Sequence, residues 1–210
     1  MESVYPYPTW LAAIKNVPFR RKLITGIILL LAIVILLPFF FQYIEQRQGI
    51  LLNDVVLDQL PPVNVSIAVF VLIWAVFLLF IIRSVKDPFL LLHYLYAFLL
   101  LCLCRIVTIT FVPLNAPPGL IALTDPLSNF FYGTKDFITK DLFFSGHTAT
   151  LCLFAFCFRQ KLDKFIAVLS ATVVGFLVLL QHVHYTIDVV AAPLFSFFCF
   201  LLGKKIAESR

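Results

Sequence analysis

The chain has 210 residues, of which 62% are hydrophobic and 13% charged, and its formal net charge is +5. Soluble domains are about 25% charged, so this composition excludes a soluble enzyme and indicates an integral membrane protein. The positive charge does not indicate a nucleic-acid partner, because the lysines and arginines form short clusters beside apolar runs, where they set membrane topology.

Apolar runs divide the chain into its predicted elements. An N-terminal segment, residues 1–22, combines aromatic and basic residues, as membrane-interface segments do. A helix needs about 20 apolar residues to cross the hydrocarbon core. Six runs approach that length, near residues 23–41, 63–82, 89–112, 143–158, 165–183 and 184–203. The sequence therefore predicts an all-α, polytopic membrane helical bundle with one six-helix catalytic domain over 23–203 and a basic tail over 204–210.

The connections between these runs differ in charge. Basic residues prevail in the N-terminal segment, in the connections after the second and fourth runs, and in the tail. The loop 42–62 carries more acid than base, and the loop 113–141 is mixed. Because basic loops stay cytoplasmic, we expect both termini in the cytoplasm and these two loops on the extracytoplasmic (lumenal or periplasmic) face.

Polar residues that are costly in a membrane stand near the extracytoplasmic ends of three predicted helices. Arg105 lies one or two turns inside the end of the third. Ser145 has the residue type of an N-cap and precedes Gly146 and His147 at the start of the fourth. His184 begins the sixth. We therefore expect all of these residues on one face of the membrane.

His184 and Asp188 are four positions apart, which puts them on one face of a continuous helix. There the carboxylate can hold the imidazole in one tautomer and stabilise its charged form. His182 would point away from that face and bond lipid head groups or neighbouring loops. A packing role for the pair, and extension of Arg105 to the interface, are the alternatives to a reactive site.

These residue types fit phosphoryl transfer by nucleophilic and acid–base catalysis. In that chemistry His184 attacks phosphorus, Asp188 orients it, and His147 protonates the leaving oxygen. Two histidines and an aspartate can also bind zinc, but no further carboxylate stands beside them to act as a base. We expect neither a metal nor another cofactor.

Four residues are candidates for binding the phosphate group itself. The guanidinium of Arg105 has the geometry and charge for it, and Lys140 supplies a second cation in the outer loop. Ser145 and Gly146 stand at a helix start, where backbone N–H groups and the positive end of the helix dipole favour an anion.

The Ser-Gly-His-Thr block at 145–148, together with the segment 182–190, resembles the two catalytic motifs of the sphingomyelin synthase family. That family is a branch of the type 2 phosphatidic acid phosphatase superfamily. The Arg-x-x-Thr sequence at 105–108 looks like the family's upstream region. Lys140 stands where the family usually has glycine, before Asp141. The resemblance covers roughly residues 105 to 193.

The resemblance implies six membrane helices and a metal-independent exchange, in which a histidine takes the phospho-head-group of a glycerophospholipid and ceramide accepts it. It implies His184 as nucleophile, Asp188 as its partner and His147 as the proton-transferring residue, with membrane lipids as partners. A lipid phosphate phosphatase and a catalytically inactive lipid-binding membrane protein are the alternatives. The phosphatase branch's Lys-rich motif ending in Arg-Pro is missing from the sequence, which favours the transferase.

Overall fold

The computed structural model describes residues 9–124 and 138–209. Within these ranges the regular structure is helical, with seven α-helices and a 3₁₀ turn at Leu57–Gln59. The helices are α1 (Trp10–Lys15), α2 (Val17–Gln46), α3 (Ser66–Ser84), α4 (Pro88–Phe111), α5 (Gly146–Cys157), α6 (Lys161–Leu180) and α7 (Thr186–Glu208). The predicted interfacial segment 1–22 thus falls partly outside the described residues.

Local sequence explains where several helices begin. Asn16 caps α2, because its side chain accepts the N–H of Phe19 at 3.2 Å. Asp87 caps α4 by accepting the N–H groups of Phe89 and Leu90, both at 3.1 Å. Such side chains satisfy backbone donors that have no partner within the helix, so these polar residues fix the ends of long apolar segments.

Five of the helices, α2, α3, α4, α6 and α7, are long and apolar enough to cross a membrane. Helix α5 is apolar as well but has only 12 residues. At 1.5 Å per residue it is about 18 Å long, whereas the hydrocarbon core is roughly 30 Å thick. The predicted all-α membrane bundle is confirmed. The fourth predicted span, 143–158, is a shorter helix because its first turn starts only at the Ser145 cap.

Helix α5 lies inside the bundle, in contact with α4, α6 and α7. Its Leu151 and Leu153 side chains are 0% exposed. The peripheral helices instead expose large apolar side chains, including Ile28 and Phe39 of α2 and Leu78 of α3. Lipid tails are as apolar as these side chains, so the exposed surface suits a bilayer and the longer helices shield the short one.

Small residues allow the closest helix crossings. A Cβ atom on Gly203 of α7 would lie 2.5 Å from the Cα of Ala97 in α4. A Cβ on Gly26 of α2 would lie 2.6 Å from Cδ2 of Leu95, also in α4. Close backbone approach at small residues is typical of packing between membrane helices. Helix α4 therefore packs between α2 and α7.

Ion pairs join the helices at the end of the bundle where residues 9 and 209 lie, which we call the termini end. Arg83 of α3 donates two hydrogen bonds, of 2.8 and 3.0 Å, to the carboxylate of Asp163 in α6. The Nε atom of Arg159 lies 2.7 Å from Oδ2 of Asp87. Lys22 donates to carbonyl oxygens at the C-terminal end of α7. The two connections that were predicted to be basic, between α3 and α4 and between α5 and α6, therefore lie together at the termini end.

The opposite end, which we call the loop end, carries the connections between α2 and α3, α4 and α5, and α6 and α7. Ile50 and Leu114 form an isolated parallel bridge between the first two connections. The Asn115 amide bonds the N–H and C=O of Gly49 at 3.1 and 2.8 Å. A Cβ at Gly49 would lie 2.4 Å from the Leu114 carbonyl carbon, so glycine permits the two connections to pack together.

Candidate active site

His184 and Asp188 form a buried pair at the loop end. The Nδ1 atom of His184 lies 3.2 Å from Oδ2 of Asp188, and the two side chains are 4% and 0% exposed. Helix α7 begins at Thr186, so His184 precedes the helix. The prediction that a continuous helix starts at residue 184 is therefore wrong. Residues 181–185 connect α6 to α7, and the side chain of His184 contacts Asp188 in the first turn of α7.

The Asp188 carboxylate selects one tautomer of His184. A carboxylate oxygen accepts hydrogen bonds and donates none, so the contact favours a proton on Nδ1 and leaves a lone pair on Nε2. The same Oδ2 accepts the backbone N–H of Tyr185 at 3.2 Å. The other oxygen, Oδ1, is buried and accepts no hydrogen bond from the described residues. The pair therefore presents Nε2 of His184 as a nucleophile or base.

His147 faces this pair from the first turn of α5. Ser145 caps that helix, with its Oγ atom 3.4 Å from the N–H of Thr148. The imidazole rings of His147 and His184 have their centroids 6.2 Å apart, with an angle of 64° between their planes. The ring of Phe70 in α3 lies edge-on to His147 at 6.0 Å. The two predicted histidines therefore meet at one place.

A backbone hydrogen bond connects the two histidine motifs directly. The N–H of Ser145 donates to the main-chain carbonyl of Asp188 at 3.0 Å. Both residues are completely buried, so water does not compete for this bond. It fixes the start of α5 against the first turn of α7.

Within residues 9–124 and 138–209, no group of three or more His, Cys, Asp or Glu side chains is arranged to hold a metal ion.

Arg105 reaches the same place from α4. Its guanidinium donates to the Asp141 carboxylate and to the main-chain carbonyl of Phe144, and its side chain is 13% exposed. A Cβ at Gly146 would lie 2.9 Å from Cζ of Arg105. Glycine thus lets the guanidinium lie against the start of α5, at the positive end of that helix dipole.

Lys140 makes its contacts at the end of α2 instead. Its Nζ atom donates to the main-chain carbonyls of Glu45 and Arg47 at 2.9 and 2.6 Å. Its backbone N–H donates to Oε2 of Glu45 at 3.2 Å. These carbonyls at a helix C-terminus need donors, so the contacts of Lys140 favour a structural role. Its predicted role as a phosphate ligand stays a prediction.

His182 lies two residues after the end of α6, in the left-handed backbone region, with φ of 57°. Because His182 lies outside the helices, the expectation that helical geometry points it away from His184 and Asp188 does not apply. Its ring nitrogens Nδ1 and Nε2 lie 2.7 and 2.9 Å from the carbonyl oxygens of Pro118 and Leu60. Of the two expected roles, head-group binding or loop contact, these distances favour loop contact.

Sequence reasoning missed the polar residues that attach the segment 181–186 to other parts of the loop end. Gln181 is 0% exposed and donates to Oγ of Ser66 at 2.8 Å. Thr186 donates its N–H to Oδ2 of Asp54 at 2.6 Å, across 132 positions of sequence. The sequence does not predict such a contact, because an aspartate in a polar loop is ordinarily expected to be exposed to water.

The comparisons with known proteins bear on this part of the chain. Residues 140–205 match the family model described as PAP2 superfamily C-terminal. The matched region contains α5, α6 and most of α7, and with them His147, His184 and Asp188. No curated protein and no solved structure matches the chain.

The family match supports the PAP2 superfamily, whose members are phosphatases and phosphotransferases acting on lipid phosphate groups. It does not single out the sphingomyelin synthase branch. The expectation of an integral membrane protein that acts on membrane lipids agrees with this match and with the five apolar helices.

Proposed function

We propose that this protein transfers a phospho-head-group from a glycerophospholipid to ceramide or a similar lipid alcohol, through a phosphohistidine intermediate on His184. The observation that carries the proposal is the His184–Asp188 pair, with Nδ1 and Oδ2 3.2 Å apart, facing the ring of His147 at 6.2 Å. Two histidines facing each other at the starts of α5 and α7 can supply a nucleophile and a proton donor to a single phosphorus atom.

In the first step, Nε2 of His184 attacks the phosphorus of the donor lipid. The bond between phosphorus and the glycerol oxygen breaks, and His147 gives its proton to that oxygen, so diacylglycerol leaves. Asp188 holds the Nδ1 proton and stabilises the positive charge that His184 gains. The head group is then bound to His184 through a nitrogen–phosphorus bond.

In the second step, the hydroxyl oxygen of the acceptor lipid attacks the same phosphorus atom. His147, which lost its proton in the first step, takes the hydroxyl proton. The nitrogen–phosphorus bond breaks, and its electron pair returns to His184. Both histidines thereby regain their starting protonation states, and the reaction is balanced without an external acid or base.

The charge of the site supports a phosphodiester donor. Arg105 is the basic residue that contacts the start of α5, and it is already paired with Asp141. Lys140 is held by the carbonyls of α2. A phosphomonoester carries close to two negative charges at neutral pH, whereas a phosphodiester carries one, so a site with one cation among the described residues suits the diester better.

The test gives purified protein in lipid vesicles a fluorescent ceramide and a mixture of phospholipids, and then identifies the labelled products. We expect a labelled ceramide that carries a phospho-head-group, together with an equal amount of diacylglycerol. Release of free phosphate or of a water-soluble head group, with no labelled phospho-ceramide, would mean that water completes the reaction. That result would replace the transferase by a phosphatase.

A further inference from the structure

Helix α7 has part of its N-terminal cap in a distant part of the chain. Thr186, its first residue, donates its backbone N–H to Oδ2 of Asp54 at 2.6 Å and its hydroxyl to Oδ1 at 2.9 Å. Asp54 lies in the connection between α2 and α3. The cap therefore attaches the helix that carries Asp188 to a different connection at the loop end.

The connection holds Asp54 firmly in place. Its Oδ1 atom also accepts the N–H groups of Val56 and Leu57 at 3.2 and 3.1 Å, which closes a tight turn before the 3₁₀ segment. Leu57 is only 2% exposed and belongs to a buried cluster with Leu114 and Tyr185. A carboxylate fixed by its own turn and by a buried neighbour gives α7 a rigid starting point.

Because Asp54 caps Thr186, Asp188 caps Tyr185 with the same Oδ2 that contacts His184. Asp188 is the third residue of α7 and, as acidic side chains at this position do, it turns back to cap its own helix at Tyr185. It already accepts the N–H of Tyr185 at 3.2 Å. Without Asp54, the N–H of Thr186 would lose its acceptor, and Asp188, which accepts the N–H of the preceding residue, could turn toward it.

We propose that Asp54 is a positioning residue, which caps α7 so that Oδ2 of Asp188 stays directed at Nδ1 of His184. The inference rests on the proposed function, because the position of this pair affects turnover only if the pair carries out the reaction. The charge of Asp54 also lies at the positive end of the helix dipole, where a carboxylate stabilises the first turn.

The test compares Asp54→Ala, Asp54→Asn and the matched control Asp58→Asn, which changes an exposed aspartate of the same connection. We expect Asp54→Ala to lower kcat by roughly 10- to 100-fold, as small misplacements of reacting groups do, and to leave KM nearly unchanged. Asp54→Asn keeps acceptor oxygen without the charge and should recover part of the rate. Asp58→Asn should match wild type.

A second measurement does not depend on activity. In protein labelled with ¹⁵N-histidine, the Nδ1–H resonance of His184 reports the hydrogen bond to Asp188. We expect this resonance to shift and broaden in Asp54→Ala, and likewise in Thr186→Val, which removes the hydroxyl half of the cap. The double variant should resemble Asp54→Ala, because Thr186→Val removes only a hydrogen bond that Asp54→Ala has already broken.

The two measurements separate the possible failures. A folded Asp54→Ala protein with wild-type kcat and an unchanged His184 resonance would overturn the positioning role. A resonance that depends on Asp54, in a wild-type protein that turns over no phospholipid, would support the geometric coupling and reject the proposed function instead.

Discussion

The side chains of His184 and Asp188 are expected to act as one unit, because only the carboxylate fixes which ring nitrogen carries the proton. We predict that His184→Ala abolishes turnover and that Asp188→Asn lowers it by about 10²–10⁴-fold, the usual contribution of acid–base groups. The asparagine amide can donate to Nδ1 and reverse the tautomer. Initial rates of head-group transfer measure both, with His93→Gln at the termini end as a control that keeps its rate.

Gly146 is a second position at which a single substitution would change the geometry of the site. A Cβ there would lie 2.9 Å from Cζ and 3.1 Å from NH1 of Arg105, so Gly146→Ala must displace the guanidinium. A hydrogen bond to a charged group is worth about 1.5–3 kcal/mol, so we expect kcat/KM to fall by about 10- to 100-fold. The melting temperature should change little, because a flexible side chain moves rather than backbone. An unchanged kcat/KM would exclude Arg105 as the phosphate ligand.

At the scale of elements, the crossing of α4 and α7 sets the position of the helix that carries Arg105 against the helix that carries Asp188. Gly203→Ala would put a Cβ 2.5 Å from the Cα and N of Ala97, and backbone cannot move aside as a side chain does. Overpacking of this kind costs roughly 1–3 kcal/mol. Reversible unfolding in mixed micelles should detect that loss, while Leu202→Ala, at a side chain that is 55% exposed, should leave stability nearly unchanged.

The contact between Asp54 and α7 makes stability depend on pH in one direction. Burial raises the pKa of the Asp54 carboxyl, but hydrogen bonds from Thr186, Leu57 and Val56 outweigh this effect, so the pKa lies below its ordinary value of 3.8. A carboxyl whose pKa is lowered by folding stabilises the protein above its unfolded pKa, and that contribution is lost as pH falls through the folded pKa. It is therefore fully present at neutral pH.

We predict that Asp54→Asn melts at a lower temperature than wild type at pH 7 and pH 5. The difference between the two proteins should shrink once the pH falls below about 4, where the wild-type carboxyl begins to take up its proton. Thermal unfolding in detergent at a series of pH values measures it. A difference that stays constant down to pH 3 would contradict the pKa argument.

For the whole molecule, the sequence was sufficient wherever a signal is local or periodic. Long apolar runs predicted the membrane helices, and the Ser-Gly-His block predicted the start of α5 at its cap. The sequence was insufficient to predict contacts between residues that lie far apart along the chain. The pairing of Asp54 with Thr186 and the two carbonyl contacts of His182 depend on how the connections pack, and no local pattern encodes that packing.

The two ends of the bundle differ in a way that predicts its orientation. The termini end carries Arg83, Lys86, Arg159 and the basic C-terminal segment, whereas the loop end carries the histidine site. Because basic segments remain in the cytoplasm, we expect the site on the extracytoplasmic face. Asn53 and Lys86 are exposed at the loop end and the termini end, respectively, and cysteines introduced there would report the two sides.

In intact cells, a membrane-impermeant maleimide should label Asn53→Cys, and it should label Lys86→Cys only after the membrane is permeabilised. The five native cysteines are buried or half-buried, so the unmodified protein provides the background signal. The opposite labelling pattern would put the site in the cytoplasm. The donor lipid would then have to come from the cytoplasmic leaflet, because His147 and His184 lie at the same end of the bundle as Asn53.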